Sequence, residues 1–278
     1  MFKYMTLENG YILWNRYRII KRLGNGSFGE IYLAEDLDKF NEKVVVKRLM
    51  IEMLHPRFLD KAKELFRREA EALYRLGKYP QTPDLKAHFE EDNNCFLVME
   101  YVAAQNMSEL ELREGNILPE KEVIALLSDI LEVVKIVHKH NLIHRAIKPD
   151  NLIRQSENGQ IVLIDFGSVT TVAFEESTKH NGTITGSPGY AAPEQLLGKS
   201  YFSSDIYAVG MIGIQVLTGV LTFCFREDIQ WQNFPPTTSE QLKQIIRKMT
   251  AYNASERYQS AEEVLKALNE VSRELSFF

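Results

Sequence analysis

The sequence predicts an α+β, bilobal protein, with a five-stranded antiparallel sheet and one helix in the first lobe and a mainly helical second lobe. Three observations carry that prediction. Runs rich in β-branched and aromatic residues crowd the first third of the chain, separated by turn formers. From Pro119 onward the apolar residues recur at helical spacing instead. No internal repeat or low-complexity stretch interrupts either half.

In order along the chain, residues 17–23, 31–35 and 43–49 read as strands, each β-branched or aromatic and bounded by turns. Residues 59–76 then place Leu65, Ala72, Leu73 and Leu76 on one helical face with charges between them. After the breaker Tyr79-Pro80-Gln81-Thr82-Pro83, two more strands are expected over 85–90 and 95–102, joined by an acidic turn. The seam between lobes falls near residues 100–105, giving an N-terminal extension 1–16, an N-lobe 17–101 and a C-lobe 102–278. In the C-lobe Val123, Leu126, Leu127, Ile130, Val134 and Val137 form an apolar helical stripe. Residues 206–225 carry no charge, yet Ser203-Ser204-Asp205 reads as a helix start and Gly219 as a stop. That leaves roughly 15 residues and about 22 Å, too short for a bilayer, so a buried core helix is expected. From Ser239 two amphipathic helices follow, separated by residues 252–258, and the chain ends soon after the last, which reads as an excised domain, with a full-length short protein as the alternative.

With 278 residues, 45% apolar content and a formal charge of −5, the chain can bury a large core and has no concentrated basic stretch for nucleic acid or anionic membrane. Lys61, Lys63, Arg67 and Arg68 lie among glutamates on the predicted helix. Cys95 and Cys224 sit far apart in apolar surroundings with no zinc-type spacing, and read as reduced core thiols. Residues 1–15 lack the pattern of a secretion signal, so a cytoplasmic location is expected.

Gly24-Asn25-Gly26-Ser27-Phe28-Gly29 lies between two predicted strands. In that setting a glycine-rich turn can lie over nucleotide phosphates, although an ordinary hairpin would look the same. Lys47 charges a strand otherwise suited to burial and taken alone reads as a snorkelling surface lysine, although Glu69 on the next helix can pair with it. Further on come Leu142-Ile143-His144-Arg145-Ala146-Ile147-Lys148-Pro149-Asp150-Asn151-Leu152-Ile153, then Ile164-Asp165-Phe166-Gly167, then Gly189-Tyr190-Ala191-Ala192-Pro193-Glu194, with Asp205 and Arg257 beyond. Five ordered motifs at compatible spacing over residues 17–268 resemble the eukaryotic-like serine/threonine protein kinase family, and its bacterial members most closely.

The resemblance implies a protein-kinase fold and transfer of the ATP γ-phosphate to Ser or Thr of a protein substrate. It implies that Asp165 and Asn151 hold Mg²⁺, with Mn²⁺ as an alternative, that Lys47 and Glu69 pair to meet the phosphates, and that Lys148 approaches the γ-phosphate. Gly24, Gly26 and Gly29 would cover the nucleotide; Leu23, Ile31, Val45 and Leu152 would sandwich its base. Glu100 and Val102 would meet the base edge through backbone groups, with Met99 guarding the back pocket. Leu73, Leu85, His144 and Phe166 would form an apolar column linking the lobes, and Glu194 with Arg257 a buried ion pair. Asp205 would cap the catalytic loop. Ser187 is assigned to the substrate-hydroxyl pocket, and Ser177, Thr178, Thr183 and Thr185 are candidate phosphate acceptors opposite Arg145. Trp231 and Phe234 mark either a docking surface or core.

One position departs. Where the resemblance calls for a catalytic aspartate after His144-Arg145, the chain has Ala146. Alanine can neither orient a substrate hydroxyl nor accept its proton. With Lys47, Glu69, Lys148, Asn151 and Asp165 all present, this isolated loss reads as an engineered Asp-to-Ala inactivation, the alternative being a natural pseudokinase that binds ATP as a scaffold. A small-molecule kinase of related fold is disfavoured by the Ala192-Pro193-Glu194 segment.

Overall fold

A computed structural model describes residues 6–26, 29–51, 55–92, 94–103, 107, 112, 115–155, 158–172, 186–220 and 233–275. Ser27, Phe28, the four candidate phosphate acceptors, Cys224 and Trp231 lie outside them. The chain divides into two compact units, Met1–Val102 and Ala103–Phe278.

The first unit is one antiparallel sheet with a helix. Its strands are β1 (Ile12–Leu13), β2 (Tyr17–Gly26), β3 (Gly29–Asp36), β4 (Glu42–Leu49), β5 (Leu85–Glu91) and β6 (Asn94–Glu100), in the order β1-β2-β3-β4-β6-β5. Among the described residues the sheet therefore has six strands, not the five expected from sequence. The additional one, β1, returns on β2 through a tight turn in which Trp14 and Asn15 both take positive φ. The Trp14 ring stacks on Phe89 of β5 at 4.5 Å, and the Trp14 backbone N–H donates to Glu91 Oε2 at 3.1 Å. The N-terminal hairpin thus reaches the strand at the opposite edge, and the sheet curls.

Register separates the sheet into two faces. Tyr32 opposes Val46 and Ala34 opposes Val44, and these pack with Leu13, Tyr17, Ile19, Phe96 and Val98 into one apolar core. On the other face Ile31 opposes Lys47 and Val45 opposes Met99. Helix α1 (Pro56–Leu76) opens with Pro at its first position, where no N–H is needed, and His55 as N-cap. Its charges pair along the surface, Lys61 and Arg68 with Glu64 and Arg67 with Glu71. Strand β6 stops at Glu100, two residues short of the expected end. Cys95 is buried beside Glu90, and burial, then that carboxylate, pushes its thiol up to about 11, so it is an inert thiol.

The second unit is mainly helical. Helix α2 (Glu120–Lys139) buries the expected stripe, and α3 (Phe202–Thr218) is buried along nearly its whole length. Helix α3 ends at Gly219, whose φ of +71° favours glycine. Its start differs from expectation: Tyr201 is the N-cap, its N–H donating to Ser204 Oγ, while Asp205 faces inward. Among the described residues no helix is long and apolar enough to cross a membrane. Helices α4 (Glu240–Met249, capped by Ser239) and α5 (Ala261–Leu275) complete the unit. Two short antiparallel pairs frame the central loop: β7 (Leu142–Ile143) with β10 (Thr170–Thr171), and β8 (Leu152–Arg154) with β9 (Ile161–Leu163).

Candidate functional site

In the first unit the glycine-rich turn is the end of the β2–β3 hairpin, with Gly24 opposite Ile31 and Gly26 opposite Gly29. Its glycines do different things. A Cβ on Gly29 would lie 1.8 Å from the Arg48 carbonyl oxygen, so glycine there is required by the approach of β4. A Cβ on Gly24 would meet nothing within 4 Å, and its φ is not positive, so neither the fold nor the backbone demands glycine. That empty position is where a ligand can come close to the chain.

Below the turn, Ile31, Val45, Lys47 and Met99 share the face away from the packed core. Ile31 and Val45 are half-buried, and Leu23 is exposed. The Lys47 ammonium reaches both carboxylate oxygens of Glu69, at 2.8 and 2.7 Å, with both side chains almost fully buried. A buried ammonium so held is a fixed positive charge on an apolar strand face. Glu69→Gln should weaken it: loss of one charge-assisted partner costs about 2 kcal/mol, read as a lower midpoint in urea. Glu100 is anchored to Asp84, its N–H donating to the Asp84 carbonyl and its Oε2 accepting from the Asp84 N–H. Val102 is buried at the end of the unit, as is Leu73, while Leu85 is half-buried.

In the second unit Asp205 organises the central loop. Its Oδ2 accepts from the His144 N–H (2.8 Å) and faces His138 Nε2 (3.0 Å), while Oδ1 accepts from the Arg145 N–H (2.8 Å). Burial pushes the Asp205 carboxyl up, but His138 and the backbone donor outweigh it and hold it below the usual carboxylate range. His144 packs edge-on against Phe166 at 4.9 Å, fully buried. Its Nδ1 accepts from the Ala146 N–H at 3.3 Å, and burial, the largest influence, holds it neutral by lowering its pKa. The sign follows. The unfolded chain takes up a proton at this imidazole below about pH 6.5, and the folded chain does so only at lower pH, so stability from His144 is complete above the unfolded value and declines below it. Urea midpoints at pH 7.5 and 5.5 should therefore diverge, and diverge less in a His144→Gln variant.

Ala146 is half-buried and held on both sides, its N–H by His144 and its carbonyl by Asn151 Nδ2 at 2.8 Å. With the Asn151 amide nitrogen so committed, its oxygen is the atom open to a cation. Asp165 takes φ +62°, and its Oδ1 lies 3.4 Å from the Gly167 N–H. Two hard oxygen donors on adjoining segments, tied by the Ile164 N–H to Asn151 carbonyl bond, are groups that could hold Mg²⁺. Among the described residues no group of three or more His, Cys, Asp or Glu side chains could hold a metal alone. Lys148 is partly exposed beside Asp150 at 3.4 Å, and Leu152 is fully buried.

Ser187 is half-buried, and its carbonyl accepts from the Tyr190 and Ala191 N–H groups. Glu194 meets Arg257 at 2.7 and 2.9 Å with Arg257 buried. Sequence reasoning missed Gln195 and His138. Gln195 carried one signal, a glutamine three residues after Ala192 at a helix start, where such a side chain can reach back to the cap; His138 carried none, because only folding brings it to Asp205. Phe234 is buried, hence core.

Residues 17–268 match the family described as the protein kinase domain. The chain is 37% identical over 268 residues to the serine/threonine-protein kinase PknA of Nostoc sp., covering 92% of this chain and 47% of that protein. It is 35% identical over 268 residues to serine/threonine-protein kinase C of Synechocystis sp. (92% and 50%), and 29% identical over 262 residues to PrkC of Bacillus subtilis (90% and 39%). The chain thus spans about half the length of these relatives, or less.

Proposed function

The chain belongs to the protein kinase domain family, and on that premise we propose that it is the catalytic domain of a serine/threonine protein kinase whose proton-accepting aspartate has been replaced at Ala146. Mg-ATP and a Ser- or Thr-bearing protein are its substrates. Gly24, Gly26 and Gly29 cover the phosphates, and Lys47, steadied by Glu69, meets their oxygens. Leu23, Ile31, Val45 and Leu152 enclose the base, with Met99 behind it and the Glu100 and Val102 backbone at its edge. Asp165 and Asn151 hold Mg²⁺, or Mn²⁺, which neutralises phosphate charge when bound. Lys148 steadies the γ-phosphate, Ser187 lies toward the acceptor hydroxyl, and Ser177, Thr178, Thr183 and Thr185 are acceptors for a phosphate paired with Arg145. We assign residues 1–16 to an extension, 17–101 and 102–278 to the two lobes, and the protein to the cytoplasm.

The observation that carries this reading is the state of the loop at Ala146. Its backbone is tied by His144 and Asn151, so the scaffold for a catalytic side chain stands while the side chain is a methyl group. A single loss among otherwise matched positions supports an engineered inactivation over gradual erosion. The same observation supports a second reading, a pseudokinase that binds ATP as a scaffold. Labelled-phosphate transfer from Mg-ATP to the chain itself and to a generic basic protein, compared with the Ala146→Asp variant and accompanied by ATP titration of both, separates them. Transfer by the variant alone supports the kinase; ATP binding without transfer in either supports the scaffold; absence of ATP binding in both sinks both readings.

A further inference from the structure

We propose that Gln195 is a positioning residue that locks the peptide between Arg145 and Ala146 to the substrate-side segment around Ala192. Gln195 is buried in the short turn of helix Pro193–Leu197. Its Oε1 accepts from the Ala192 N–H at 2.9 Å, and its Nε2 donates to the Arg145 carbonyl at 3.0 Å. The two partners fix the amide's orientation, since only nitrogen can donate to a carbonyl. One side chain therefore ties the loop that presents position 146 to the segment that leads from Ser187 to Glu194.

The tie falls where the loop needs it. Arg145 adopts φ +67°, a left-handed conformation that a non-glycine residue keeps only when its surroundings over-determine it. Asp205 holds the N–H groups of His144 and Arg145, and Asn151 holds the carbonyl of Ala146. Between them lies the Arg145–Ala146 peptide, whose N–H makes the long 3.3 Å contact to His144 Nδ1 and whose carbonyl is taken by Gln195. Without Gln195 that plane is held from one side only. The space around the amide is closed as well: a Cβ on Gly186 would lie 2.4 Å from Ala191 Cβ and 3.5 Å from Gln195 Nε2. Its consequence for catalysis rests on the kinase reading above; the clamp itself does not.

Two variants separate the two halves of the tie. Gln195→Glu keeps an acceptor for Ala192 but has no donor for Arg145 when ionised; Gln195→Met keeps length and apolar bulk and loses both bonds. In the chain as it stands, hydrogen exchange at the Ala146 amide should speed up about tenfold or more in both variants, with the amides of α3 unchanged. In the Ala146→Asp background, both should lower kcat about tenfold and leave KM for ATP within twofold. If Gln195→Glu behaves like the parent in exchange and kcat, the bond to Arg145 does nothing and the proposal fails. Unchanged exchange in Gln195→Met, with the fold intact by circular dichroism, overturns it equally. If Ala146→Asp itself transfers no phosphate, the kinase reading fails, and exchange alone still decides the clamp.

Discussion

Ala146→Asp should raise phosphoryl transfer by about a hundred- to ten-thousandfold, the range a positioned general base contributes, or roughly 3 to 5 kcal/mol of barrier. The expectation is this large because nothing else at the position has to be built. The Ala146 N–H already meets His144 Nδ1, and its carbonyl already accepts from Asn151. Ala146 is half-buried, so a carboxylate there keeps access to solvent and escapes the penalty of full burial. The change should appear in kcat, with ATP affinity nearly constant, since none of the residues assigned to the nucleotide is altered. The measurement is steady-state transfer of labelled phosphate to a Ser/Thr peptide, with ATP affinity titrated on both proteins. A gain under tenfold, with ATP bound equally by both, would refute the assignment of position 146.

What could be read from the sequence follows the distance over which each feature is encoded. The strands of the first unit show in short consecutive runs, so 17–23, 31–35 and 43–49 lie inside β2, β3 and β4. Strand β1 could not be found that way. It is two residues long, too short for any periodicity, and is held by Trp14 stacking on Phe89, far off in sequence. The pair of Lys47 with Glu69 spans 22 positions and was legible only through family resemblance. Gln195 meets Arg145 across 50 positions and Asp205 meets His144 across 61, and neither separation leaves a local mark. The resemblance places Asp205 at the loop, where it accepts from the His144 and Arg145 N–H groups, while in the same polar run it is Ser204 that caps the helix start, a division of labour that the run itself does not show.

The largest expected effect on stability is at Arg257. Its guanidinium meets both oxygens of Glu194, donates to the carbonyls of Ala251, Tyr252 and Ser203, and lies 4.7 Å from the Tyr207 ring centroid. The planar fork of arginine satisfies all of these together, and lysine cannot. Arg257→Met would leave the Glu194 carboxylate with Ser204 Oγ as its remaining contact and three carbonyls without this donor. Breaking a buried pair from one side costs about 3 to 5 kcal/mol, and at about 2 to 4 °C per kcal/mol for a domain of this class the thermal midpoint should fall by roughly 10 °C. Replacing both partners, Glu194→Leu with Arg257→Met, removes the stranded charge but not the stranded carbonyls. The double variant should therefore recover only part of the loss. Full recovery would mean that the ion pair alone matters; no recovery would mean that Arg257 acts chiefly through the three carbonyls. Thermal melts of the parent, both single variants and the double variant give the coupling directly.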